Sequence, residues 1–197
     1  IIYFAACERQ EGFGSCDIYA SFYKGNGQWS KAINLGPNIN SRVWDTQPSI
    51  SSDGKTLYFV RASHGRSKNK DIYYAQLQKD GKWGKAQKLE GPFNTPGSET
   101  SPFIHFDNKT LYFSSDGHPG LGNLDFFVSR KKEDGSWGKP ENLGYPINSN
   151  EDDFSLIVSP DGKTGYFSSE RLKGNIGMQD LYSFTLPLES RAIEIAY

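Results

Sequence analysis

Thr56-Leu57-Tyr58-Phe59 returns as Thr110-Leu111-Tyr112-Phe113 and as Thr164-Gly165-Tyr166-Phe167, with a worn copy at Ile1-Ile2-Tyr3-Phe4. Ladders of single residues keep the same step. Trp29, Trp83 and Trp137 stand 54 residues apart, as do Asp53, Asp107 and Asp161, while Asp17, Asp71, Asp125 and Asp180 step by 54, 54 and 55. Three ladders in phase mark one supersecondary unit repeated along the chain.

One period, residues 45 to 91, reads as four strands. A first strand near Gln47 to Ser51 turns at Ser52-Asp53-Gly54-Lys55, where Asp-Gly tolerates the positive φ of a tight hairpin. The second strand is Thr56 to Val60. A long loop, Arg61 to Lys70, leads to a third strand, Asp71 to Gln76, and a second hairpin at Lys79-Asp80-Gly81-Lys82 opens a fourth from Trp83 to Leu89. The second and third strands are apolar on both faces (Leu57, Tyr58, Phe59; Ile72, Tyr73, Tyr74), which requires a neighbouring sheet on each side. Radially stacked blades meet that requirement and a two-sheet sandwich does not. The expected fold is an all-β propeller of four-stranded antiparallel blades over residues 1–187: a partial blade 1–44, blades 45–98 and 99–152, and a partial blade 153–187. Residues 188–197 are a tail expected to lead into a following domain. Propellers close with about four to eight blades. Either the ends meet to share a blade, or further blades precede Ile1 in a ring of about six; the second is favoured.

Composition narrows the function. With 197 residues and a formal net charge of -1 spread along the chain, there is no electrostatic footprint for nucleic acid. No apolar run approaches the roughly 20 residues that cross a bilayer, so direct membrane insertion is not expected. Gly54-Lys55-Thr56 and Gly162-Lys163-Thr164 mimic the end of a phosphate loop, but Ser49 and Ile157 stand where its first glycine belongs, so both are hairpin turns. His64, His105 and His118 are scattered, and no metal site or cofactor is expected. The loop Ser115-Asp116-Gly117-His118-Pro119-Gly120 offers too few oxygen ligands for calcium.

Asp45, Glu99 and Asp153, each just before a first strand, are the enzymatic temptation, because propeller glycosidases place acids around the channel. They share one repeat phase, whereas catalysis at one centre needs unequal partners, so a structural role in tying strand ends between blades is expected. By the same argument Asp17, Asp71, Asp125 and Asp180 cap loop amides. No catalytic residue is expected. Function should lie where the repeat breaks: in the loops between second and third strands, which leave one face and carry Arg61, His64, Arg66, Asp116, His118, Glu170 and Arg171, together with the out-of-phase Trp44. Cys7 and Cys16 flank a Gly-rich loop in one of these positions; a disulfide between them is expected, and with it an oxidising compartment such as a periplasm.

Pro48-Ser49-Ile50-Ser51-Ser52-Asp53-Gly54-Lys55-Thr56-Leu57-Tyr58-Phe59, Ser114-Ser115-Asp116-Gly117-His118-Pro119-Gly120, Asn142-Leu143-Gly144-Tyr145-Pro146-Ile147-Asn148 and Asp180-Leu181-Tyr182-Ser183-Phe184 resemble the repeats of TolB-like, WD-type propellers. More narrowly, they resemble the propeller of periplasmic OmpA-family proteins of Bacteroidetes-type bacteria. That resemblance implies a non-catalytic scaffold binding protein partners in an outer-membrane, peptidoglycan-associated or type IX secretion assembly, with contact to peptidoglycan or glycan left to neighbouring domains. A glycan-binding or glycan-hydrolysing propeller is the alternative, and a regulatory propeller attached to a peptidase domain a third.

Overall fold

The computed structural model describes residues 1–62, 69–169 and 180–193, and among them there are antiparallel strands, one turn of 3-10 helix at Leu188–Ser190 and no α-helix. The chain runs through β1 (Ile2–Cys7), β2 (Cys16–Ser21), a small ribbon of β3 (Tyr23–Gly25) and β4 (Gln28–Trp29), and β5 (Ile33–Asn34). A complete blade follows: β6 (Asp45–Ile50), β7 (Thr56–Ala62), β8 (Lys70–Gln76) and β9 (Gln87–Lys88). The next holds β10 (Glu99–Ile104), β11 (Thr110–Ser115), β12 (Asp125–Arg130) and β13 (Glu141–Asn142). The last has β14 (Ile157–Val158), β15 (Thr164–Ser169) and β16 (Asp180–Thr185). Sheet orders β1-β2-β5, β6-β7-β8-β9, β10-β11-β12-β13 and β14-β15-β16 are four propeller blades in sequence.

The blades are glued by three apolar cores that lie between sheets. Ile18, Ile39, Leu57, Phe59 and Ala75 fill the seam between the first and second blades. Tyr58, Ile72, Leu89, Phe93, Ile104, Leu111, Phe113 and Phe127 fill the next, and Tyr112, Phe126, Val128, Leu143, Leu156, Val158, Phe167 and Leu186 the third. Alternation explains the assignment: in β7, Leu57 and Phe59 point to the preceding blade and Tyr58 to the following one, the two-sided burial expected of stacked sheets.

Two features depart from the expected strands. Fourth strands shrink to two residues, because Trp83 and Trp137 only bridge Leu77 and Lys131 before the chain leaves the ladder. Their rings turn into the seams instead, where Trp83 meets Tyr3 edge-on at 6.2 Å and Trp137 meets Phe93 at 5.3 Å. Ring burial outweighs two ladder bonds near the outer rim. First strands begin earlier than expected and carry a bulge: register slips between Thr46 and Ser49 and between Thr100 and Phe103, with positive φ at Gln47 (52°) and Ser101 (50°). Pro48 and Pro102, which cannot donate to a ladder, sit at these bulges. Gln47 Oε1 accepts the Ser101 N–H at 2.9 Å, lacing neighbouring inner strands together.

The stretch after β16 begins by packing back on the third blade. Tyr112 donates its hydroxyl to Ser190 O at 2.8 Å, and Arg130 donates from Nε and Nη2 to Arg191 O.

Candidate functional site

Loops between second and third strands and connections between blades emerge at the same end, since each first strand begins beside the end of its second strand. This face is tightly built. Asp17 accepts the Phe13 and Gly14 N–H groups at 2.6 and 3.2 Å, and Asp125 accepts those of Leu121 and Gly122 at 2.8 and 3.1 Å, so these in-phase aspartates cap loop amides. Gly14 lets its loop approach the blade connection, because a Cβ there would lie 2.0 Å from Val43 O. Asp71 pairs with Lys88 at 2.8 Å, and the loop before it lies outside the described residues.

The expected disulfide is present: Cys7 and Cys16 face each other at the last register position of β1 and β2. Closing a loop of nine residues is expected to stabilise the chain by about 2–3 kcal/mol in the chain-entropy model. Cys7→Ser with Cys16→Ser should lower the denaturation midpoint accordingly, and an unchanged midpoint would contradict it.

The acids before the first strands are fully engaged. Asp45, fully buried, accepts the Ser41 N–H and hydroxyl at 2.7 and 2.6 Å and an Arg61 Nε–H at 2.6 Å. Glu99 accepts the Thr95 N–H and hydroxyl and the Ser115 hydroxyl, and Asp153 accepts the Ser149 N–H at 2.6 Å. Each ties down the connection arriving from the preceding blade. Where the three inner strands converge, a cavity of about 200 Å³ is lined by Gln47, Pro48, Ser101, Pro102, Ser155 and Leu156, with no carboxylate among its walls.

The expected docking residues divide. Asp116 is exposed and accepts the Ser98 N–H at 2.6 Å. His118 is half-buried, with Nε2 2.8 Å from Phe93 O and its ring against Phe113 and Phe127. Trp44 is half-buried beneath Lys70 Nζ, 5.2 Å from its ring. Arg61 is not a free rim charge: besides Asp45 it bonds Ile39 O and lies over the Phe59 and Tyr73 rings. His64, Arg66, Glu170 and Arg171 lie outside the described residues. Among the described residues, no three His, Cys, Asp or Glu side chains are grouped to hold a metal ion.

Sequence reasoning missed a fourth ladder. Asn40, Asn94 and Asn148 each accept the N–H and donate to the C=O of one third-strand residue, Ile18, Ile72 and Phe126, at 2.7–3.1 Å. The carboxamide replaces a peptide unit where the short fourth strand has run out. Its signal was the spacing of 54 between these three asparagines.

At the opposite end, Asp107 holds a hairpin. Burial pushes its carboxyl upward, but His105, the Thr110 hydroxyl and the Lys109 and Thr110 amides outweigh this and hold it at about 2. A folded-state value below the unfolded 3.8 means that stability is present above pH 3.8 and lost as pH falls through 2. The loss should be at most about 2 kcal/mol, and Asp107→Asn should remove that segment of the stability–pH curve. An identical acid limb in the variant would contradict it.

No protein family and no curated protein sequence matches the chain. Solved structures do. TolB from Acinetobacter baumannii aligns with a TM-score of 0.53 at 15% identity over 90% of this chain, which spans only 40% of TolB. A thermostable family-43 glycoside hydrolase gives a TM-score of 0.59 at 14% identity, covering 93% of this chain and 66% of its own. An α-L-arabinofuranosidase from Lactobacillus brevis gives 0.57 at 14%, covering 99% and 73%. At such identities the likeness is one of fold: the chain is a β-propeller.

Proposed function

We propose that this propeller is a non-catalytic scaffold that binds protein partners in a bacterial cell envelope, docking through the end from which the second-to-third-strand loops emerge. The observation that carries the proposal is the employment of the in-phase acids. Asp45, Glu99 and Asp153 are shielded from solvent and hydrogen-bonded to blade connections, so their phase reflects construction of the blade. A disulfide in one loop suits an oxidising compartment such as the periplasm. Exposed Phe13 and Leu121 among polar loop residues give that face apolar anchors within a polar rim. The OmpA-family and type IX secretion likeness of the repeat words makes outer-membrane and secretion components the partner class. Capture from cross-linked envelopes should recover such components with the propeller. Recovery of the free propeller alone, or hydrolysis of a polysaccharide by the purified chain, would overturn the proposal.

A further inference from the structure

Two of the three seams carry the same edge-on Trp–Tyr pair at their outer rim, and the third does not. Between the third and fourth blades the Tyr112 hydroxyl is taken by Ser190 O. Between the first and second, Trp83 lies against Tyr3. Between the second and third, Trp137 lies edge-on to Tyr58 at 6.4 Å in the same way, and Tyr58, the counterpart of Tyr112, is only 3% exposed. Tyr58 lines a cavity of about 450 Å³ shared with Tyr74, Gln76, Glu90, Lys131 and Trp137. Both flanking blades hold all four strands.

We propose that this cleft is a saccharide-binding site. Its volume falls in the range of small-molecule sites, about 300–1,000 Å³. Tyr74 and Trp137 supply apolar ring surface for the C–H faces of a pyranose. Around them stand a phenol that donates and accepts, an amide that does both, a carboxylate that accepts and an ammonium that donates, which is the complement of a ring of hydroxyls. Burial pushes the Tyr58 hydroxyl upward, so it stays a neutral phenol. When a ligand excludes water from the cleft, that hydroxyl needs a partner, and a sugar hydroxyl supplies one.

The charges select among ligand classes. Lys131 Nζ already lies 5.0 Å over the Trp137 ring, so a cation seeking the aromatic walls meets a like charge. Glu90 on the same rim disfavours an anion. A neutral polyol meets neither penalty and can bond both groups.

NMR titration of the intact chain with maltose, cellobiose and N,N′-diacetylchitobiose tests the site, with tetramethylammonium and inorganic phosphate as controls. At least one disaccharide should perturb Tyr74, Gln76 and Trp137 at millimolar concentration. Tyr58→Phe, which keeps the ring, and Gln76→Ala, at an exposed position, should each weaken that binding by about five- to tenfold with little change in thermal midpoint. The proposal is overturned if no disaccharide binds, if binding survives Tyr58→Phe undiminished, or if only a control ion perturbs the cleft. None of these outcomes bears on protein docking at the loop face.

Discussion

Arg61→Glu is expected to destabilise the chain by about 3–5 kcal/mol, the usual consequence of breaking a buried ion pair from one side. Asp45 has no exposure, and the substitution would place a second carboxylate where its guanidinium partner stood. In a chain of this length that corresponds to a drop of roughly 10 °C in the thermal midpoint by circular dichroism. Arg61→Lys keeps the charge but loses the Nε–H and the fork to Ile39 O, so it should recover only part of the loss. A midpoint unchanged by Arg61→Glu would mean that the pair does not hold the connection between the first and second blades.

Asn148→Ala should cost about 2–4 kcal/mol, because it strands the Phe126 N–H inside the third blade and leaves Phe126 O with the Leu143 N–H alone. Asn148→Asp can still accept the Phe126 N–H, but it sets a buried carboxylate against Phe126 O and Asn142 Oδ1, and should recover little. Exposed Asn150, two residues on, should tolerate alanine within about 0.5 kcal/mol. Chemical denaturation of the three variants decides it: equal midpoints for Asn148→Ala and Asn150→Ala would remove the clasp from the list of forces that close the blade.

The period, the hairpins and the two-faced strands were legible because their causes are local. Asp53-Gly54 and Asp80-Gly81 specify turns by themselves, and the spacing of Trp83 from Trp137 needs no partner to be seen. What escaped depends on who stands opposite. The role of Asn148 is defined by Phe126, 22 residues earlier, at a point where the fourth strand has already given way. Arg61 looked like a loop charge because β7 runs two residues further than its hydrophobic pattern, bringing the guanidinium beside Asp45. The docking residues His118 and Trp44 carry packing contacts that only the neighbouring segments reveal. The rim cleft was invisible for the same reason, since Tyr58 and Tyr112 occupy one repeat position and only the neighbouring segments reveal Trp137 against the one and Ser190 against the other.

Docking through the loop face is tested most directly by comparing partner capture for Arg66→Glu with Arg171→Glu, in the varied loops, against Lys82→Glu with Lys139→Glu, exposed on the opposite hairpins. The loop reversals should weaken capture, and wild-type capture should fall as salt rises, while both pairs keep the wild-type thermal midpoint. Capture that withstands the loop reversals and is lost in the hairpin variants would put the docking surface on the other end of the propeller.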